Sequence, residues 1–157
     1  MKQYVFHTAD ETIKNLYASI DVTHERQLSP ENIAERLRIE LAFLPVPSMR
    51  INQSIYIDSR LSTEYRWEQF GHELCHLLWH SDNQLHLTQS FIDMQERQAN
   101  SFALYACIPT AMLMAMEMPS ERAYAIHRMM KLFGVSPPFA ERRLDLHIEK
   151  MYQLTHM

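Results

Sequence analysis

FGHELCHLLWH, residues 70–80, sets three histidines four residues apart, with a glutamate directly after the first. Read as a helix at 100° per residue, Trp67, Phe70, Leu74, Leu77 and Leu78 fall on one side, and His72 and His76 almost opposite. Glu73 sits between the apolar side and His76, with His80 nearby. A histidine on the apolar stripe would read as a packed core residue. These two lie off it, which leaves a solvated polar face or a metal site.

Two histidines at i and i+4 are separated by about 6 Å along the axis and point the same way. Both imidazoles can therefore reach one ion at the usual Zn–N distance of about 2.0–2.1 Å. The glutamate between them comes off the same turn, where it meets water activated at such an ion rather than the ion itself. Two ligands do not hold zinc, so a third is needed. On a straight helix His80 lies about 12 Å from His72, and the LLW before it has no glycine to turn the chain. QERQANSFALY, residues 95–105, offers more: Glu96, Ala99, Asn100 and Ala103 form one stripe, with Phe91, Phe102 and Ala106 on the core side. Small alanines permit close approach to the histidine helix, and Glu96 projects at the contact. Two helices then supply two imidazoles and a carboxylate and leave a fourth position for water. Asp93, Asp82 and His86 are weaker substitutes, and a surface ion pair is the competing account of Glu96.

A chain of 157 residues with 46% hydrophobic and 22% charged residues fits one soluble domain spanning 1–157. The net charge of -4 gives no bulk basicity for nucleic acid. MKQYVFHTAD, the first ten residues, has no apolar segment of a secretory signal, and no run is long enough to span a bilayer. Cys75 and Cys107, the two cysteines, make no disulfide framework and read as buried thiols in a reducing cytoplasm. Two glycines and 3.6-residue periodicity point to a mostly helical chain. The spacing predicts helices over 9–24, from Ser29 through Leu37, and at 63–80, 90–107, 110–117, 120–133 and 137–153. Breaks fall at SDNQ (81–84), Pro109, Pro119 and Gly134–Pro138. Ser29 is a candidate N-cap with Pro30 in the first turn. Between about 38 and 58 the alternation around Ile55 and Ile57 predicts two or three short antiparallel strands, interrupted by Pro45 and Pro47. The expected class is α+β, with a small sheet preceding the histidine helix.

FGHELCHLLWH followed by ERQANSFALYACIPT resembles the ImmA/IrrE-type metallopeptidases, with their H-E-x-x-H helix and their E-x-x-A-N segment leading to a proline, here Pro109. Weaker similarity runs through IYID upstream and FGVSPPFAERRL downstream, covering about residues 30–146. The resemblance implies a zincin-like fold and one zinc ion per chain, with His72, His76 and Glu96 as ligands and Glu73 as the catalytic base. It also implies a strand edge beside the cleft that pairs with extended substrate, placed here in 51–58. Cys75 stands where the family usually has glycine; about 100° of helix turn points it away from His76 and argues against a thiolate ligand. The implied reaction is hydrolysis of a peptide bond, with zinc bringing the pKa of water toward 7 and Glu73 moving the proton. Asn100, one turn after Glu96, is a candidate to hold a ligand from behind. Nothing in the sequence selects the group that stabilises the oxyanion.

The implied partner is a protein substrate, a helix-turn-helix repressor whose cleavage induces a mobile element or stress regulon. Two other readings compete. MMKLFGVSPPFAERRL looks like half of a helix-turn-helix, which would make a DNA-binding regulator. Two prolines open the supposed recognition helix, however, and residues 119–157 carry only six basic against four acidic side chains. A helix starting at Ser136 and packed on the core explains the stretch better. The other reading is a metal-containing protein that binds the repressor without cutting it. The methionine-rich AMLMAMEMPS, residues 111–120, reads equally as adaptable surface or irregular core filling.

Overall fold

The computed structural model describes residues 8–80 and 87–156. The chain runs α1 (Ala9–Ser19), a 3-10 turn (Glu25–Gln27), α2 (Pro30–Leu37), β1 (Glu40–Leu44), β2 (Met49–Ile51) and β3 (Ser54–Asp58). It continues with α3 (Thr63–Trp79), α4 (Gln89–Cys107), α5 (Thr110–Ala115), α6 (Arg122–Phe133) and α7 (Pro137–Thr155). This is the α+β architecture the periodicity predicts: helices around one small sheet. α2 starts as expected, with the Ser29 side chain accepting from the Asn32 N–H and Pro30 in the first turn. It stops at Arg38, which turns left-handed at φ 58°.

The sheet departs from the antiparallel expectation. Its order is β1-β3-β2, with β2 antiparallel to β3 but β1 parallel to it, Glu40 opposite Ser54 and Leu44 opposite Asp58. Proline cannot donate to a ladder, so the Pro45–Pro47 segment does not fold β1 back into a hairpin. The chain instead crosses to the far side, returns as β2, and turns at Asn52 (φ 53°) to thread β3 between the other two. The Asp58 N–H bonds the Ser48 hydroxyl and the Ser59 N–H bonds the Leu44 carbonyl, tying off the crossing. The substrate edge expected in 51–58 is therefore misplaced. β3 is central; among the described residues β1 and β2 each keep a free side, and β2, Met49–Ile51, is the one that lines the cleft.

Ile55 and Ile57 of β3 are fully buried in a core shared with Trp67, Phe70 and Leu74 of α3. Leu78 and Phe91, expected to face inward, are 38% and 41% exposed. The buried surface of α3 runs instead through Gly71 and Cys75, which leaves Leu78 toward solvent. α1 is pinned to α4 by the Tyr17 hydroxyl, which donates to the Ala106 carbonyl at 2.6 Å.

α7 buries Phe139, Ala140, Arg143 and Leu144, so the inner face of the supposed recognition helix is committed to the core. Arg143, 1% exposed, donates to the Ile108 carbonyl and the Thr110 hydroxyl, both at 2.9 Å, and lies over the Tyr105 ring. At the start of the helix the buried Glu68 carboxylate accepts the Ser136 backbone N–H at 2.7 Å and its hydroxyl at 3.0 Å. Those bonds satisfy donors the helix leaves free at its first turn.

Candidate metal centre

The site is built on the contact between α3 and α4. A Cβ on Gly71 would lie 3.2 Å from the Ala103 Cα and Cβ and from the Cys107 Sγ, so the two helices approach as closely as a hydrogen side chain permits. Ala99, one turn before Ala103 on the same face of α4, is fully buried as well. The helices are thus near enough for side chains flanking the seam to meet over one point.

His72, His76 and Glu96 meet there. His72 Nε2 lies 2.9 Å from one Glu96 carboxylate oxygen, His76 Nε2 lies 3.0 Å from the other, and the two nitrogens are 3.2 Å apart. Four ligands around zinc at about 2.0–2.1 Å are separated by about 3.3 Å, close to these spacings. The outer nitrogens explain why the cluster suits a cation. His72 Nδ1 lies 2.8 Å from the Asn100 Oδ1, an acceptor, so this nitrogen carries the hydrogen and Nε2 presents a lone pair. Burial, the largest cause, pushes His76 down to about 4, so its imidazole is neutral at pH 7. Two imidazole lone pairs and a carboxylate facing one another share no hydrogen, and a cation between them resolves the repulsion. The residues present could therefore hold a divalent metal.

Glu73 is adjacent and buried, 8% exposed. Desolvation, the largest cause, pushes its carboxyl up to about 6. A group poised there is mostly ionised at neutral pH yet basic enough to accept a proton. Cys75 is fully buried, and desolvation pushes its thiol up to about 12, which leaves no thiolate to compete as a ligand. Asp93 is exposed and accepts a bond from the Gln89 amide, away from the cluster. Asp82 and His86 lie outside the described residues.

His80 is buried but turned from the cluster: its Nδ1 lies 3.0 Å from the outer nitrogen of His76, and its Nε2 lies 2.9 Å from the Gln98 Oε1. A cleft of about 520 Å³ opens over the site, walled on the sheet side by Ser48, Met49 and Arg50 and on the other by Gln69 and Asn100. Arg50 on β2 donates to the His80 carbonyl and is the one arginine or lysine among the described residues that line this cleft. Sequence reasoning missed Arg50 and Gln98. The strand alternation around Arg50 could have found the first; a lone glutamine two residues after Glu96 gives no signal.

A helix carrying H-E-x-x-H, a second helix delivering a carboxylate to it, and a short strand edge along the cleft define the zincin-like class of metallopeptidases. More narrowly, the chain belongs to the Peptidase M78 family, described as the IrrE N-terminal-like domain, whose family model matches residues 17–145. It is 37% identical over 155 residues to the YqaB protein of Bacillus subtilis (strain 168), covering 96% of this chain and 90% of that one. It is also 37% identical over 150 residues to the phage-like element PBSX protein XkdA of the same organism, covering 93% of this chain and 75% of that protein.

Proposed function

We propose that this protein is a zinc-dependent endopeptidase that holds one ion on His72, His76 and Glu96 and uses Glu73 as its base. The convergence of three lone-pair donors beside a buried carboxyl carries the reading. When bound, the ion supplies Lewis acidity to the attacking water and to the scissile carbonyl. Glu73 accepts a proton at its carboxylate as the water oxygen bonds to the carbonyl carbon. It then returns that proton to the amide nitrogen as the C–N bond breaks, which regenerates the carboxylate and releases an acid and an amine. Asn100 holds the His72 ring from behind, and Arg50, lining the cleft, faces the negative charge that develops on the carbonyl oxygen. The unpaired side of β2 receives the substrate as an added strand.

The substrate we propose is a helix-turn-helix repressor, cut in the cytoplasm so that the genes it silences are induced. XkdA, one of the relatives, belongs to a phage-like element, which supports that setting. Among the described residues no helix is long and apolar enough to cross a membrane.

The test is elemental analysis of the purified protein together with fragmentation of a repressor encoded beside it. Metal with cleavage is expected, and Glu73→Gln should keep the metal and lose about 10²–10⁴-fold in rate. Metal without any cleavage would favour a repressor-binding protein, and neither metal nor cleavage, with retardation of DNA, a regulator. Wild-type cleavage by Glu73→Gln would remove Glu73 from its role.

A further inference from the structure

His80 continues the four-residue spacing of the histidines and yet does not face the cluster. α3 ends there: its N–H still bonds the His76 carbonyl at 2.9 Å, but φ -123° and ψ 71° take the chain out of the helix. The residue is fixed on three sides. Its carbonyl accepts from Arg50 on β2, its Nε2 meets the Gln98 Oε1 at 2.9 Å, and its Nδ1 meets the His76 Nδ1 at 3.0 Å. It is 6% exposed, so no bulk water replaces these partners.

Acceptor chemistry dictates where the hydrogens lie. The Gln98 Oε1 only accepts, so the His80 Nε2 carries a hydrogen. A neutral His80 then has a bare Nδ1, which can only accept. The His76 Nδ1 must be the donor, and the His76 Nε2 is left with its lone pair aimed at His72 and Glu96. Gln98 sets the tautomer of His80, and His80 sets that of His76.

We propose that His80 is a positioning residue: through His76 it fixes the tautomer and ring orientation of one ligand of the metal centre, with Gln98 as the far end of the relay. The proposal rests on reading His72, His76 and Glu96 as a metal-binding set. Helix α4 then anchors both histidines from outside, His72 directly through Asn100 and His76 through His80, while contributing Glu96 between them. Ligand histidines commonly donate their second nitrogen to a carboxylate, a carbonyl or water. Here a neutral imidazole takes that part, with an amide behind it. His80 is not itself a ligand, because its Nδ1 contacts the outer nitrogen of His76, on the side of that ring away from Glu96.

Cobalt(II) titration of the full chain, competed against a chelator and followed by visible absorption, reads this without any turnover. His80→Phe fills the space but offers no acceptor, and it should weaken cobalt binding about 10–100-fold and alter the spectrum. His80→Asn places an acceptor oxygen near the position of Nδ1 and should restore affinity and spectrum to nearly those of the parent. Gln98→Leu, on the more open side, should weaken binding several-fold and serves if His80→Phe does not fold. Parent affinity and spectrum in His80→Phe or Gln98→Leu would overturn the relay. So would a His80→Asn variant as weak as His80→Phe. Failure of the parent protein to bind cobalt would overturn the metal centre itself, and the relay with it.

Discussion

Gly71 and Ala103 are in contact across α3 and α4, and a methyl group on Gly71 would sit 3.2 Å from the Ala103 backbone. This contact sets the helix spacing on which the distances from His72 and His76 to Glu96 depend. Gly71→Val should force the helices apart and destabilise the protein by about 1–3 kcal/mol, more than the modest helix preference of valine over glycine returns. Metal affinity should fall along with stability, as calorimetry and cobalt titration of the same sample would report. An unchanged affinity would mean that the seam does not control the site.

Glu96 is the ligand we propose from the second helix, and its side chain is 43% exposed. Glu96→Ala should therefore leave a folded protein that purifies with little metal. Chelation of the parent protein should lower its melting temperature by about 5–10 °C if it was saturated at roughly 100 times its Kd. The same chelator should leave Glu96→Ala unmoved, and thermal scans of both would decide it.

Arg50 lines the cleft and is held by the His80 carbonyl. If it faces the charge that grows on the substrate, Arg50→Met should lower kcat about 100-fold while metal content stays at the parent level. A loss confined to KM would instead make Arg50 a residue of ground-state binding.

Burial raises the pKa of Glu68, opposed by the two bonds from Ser136. An acid whose pKa is higher in the folded state binds more protons there, so its contribution favours folding below the ordinary carboxyl range and fades as pH rises through and above it. Glu68→Gln removes that dependence. Denaturation of both proteins at pH 4.5 and pH 7 should show the variant gaining on the parent at the higher pH, and the comparison cancels what His72, Glu73 and His76 contribute to each. A constant difference would contradict the assignment.

Much of this was legible in the sequence because periodicity and spacing are local. The helix positions follow from the 3.6-residue repeat, and the meeting of His72 and His76 with Glu96 follows from two spaced motifs and a run of alanines. The parallel pairing of β1 with β3 was not legible, because alternation says which residues face inward and nothing about the neighbouring strand. Leu78 misleads for a related reason. A helical wheel shows one apolar stripe, whereas α3 is covered on two sides and its preferred contact runs through Gly71 and Cys75. Gln98 and Arg50 reach the site through a helix end and a strand crossing, which only the assembled fold defines.

Among the described residues, all the groups lining the cleft come from between Ser48 and Asn100. The last two helices contribute none of these groups and act as a buttress. Their outward sides, where Tyr124, Tyr152 and Leu154 stand exposed, are free to diversify. Substitutions there can accumulate while every group that lines the cleft stays the same.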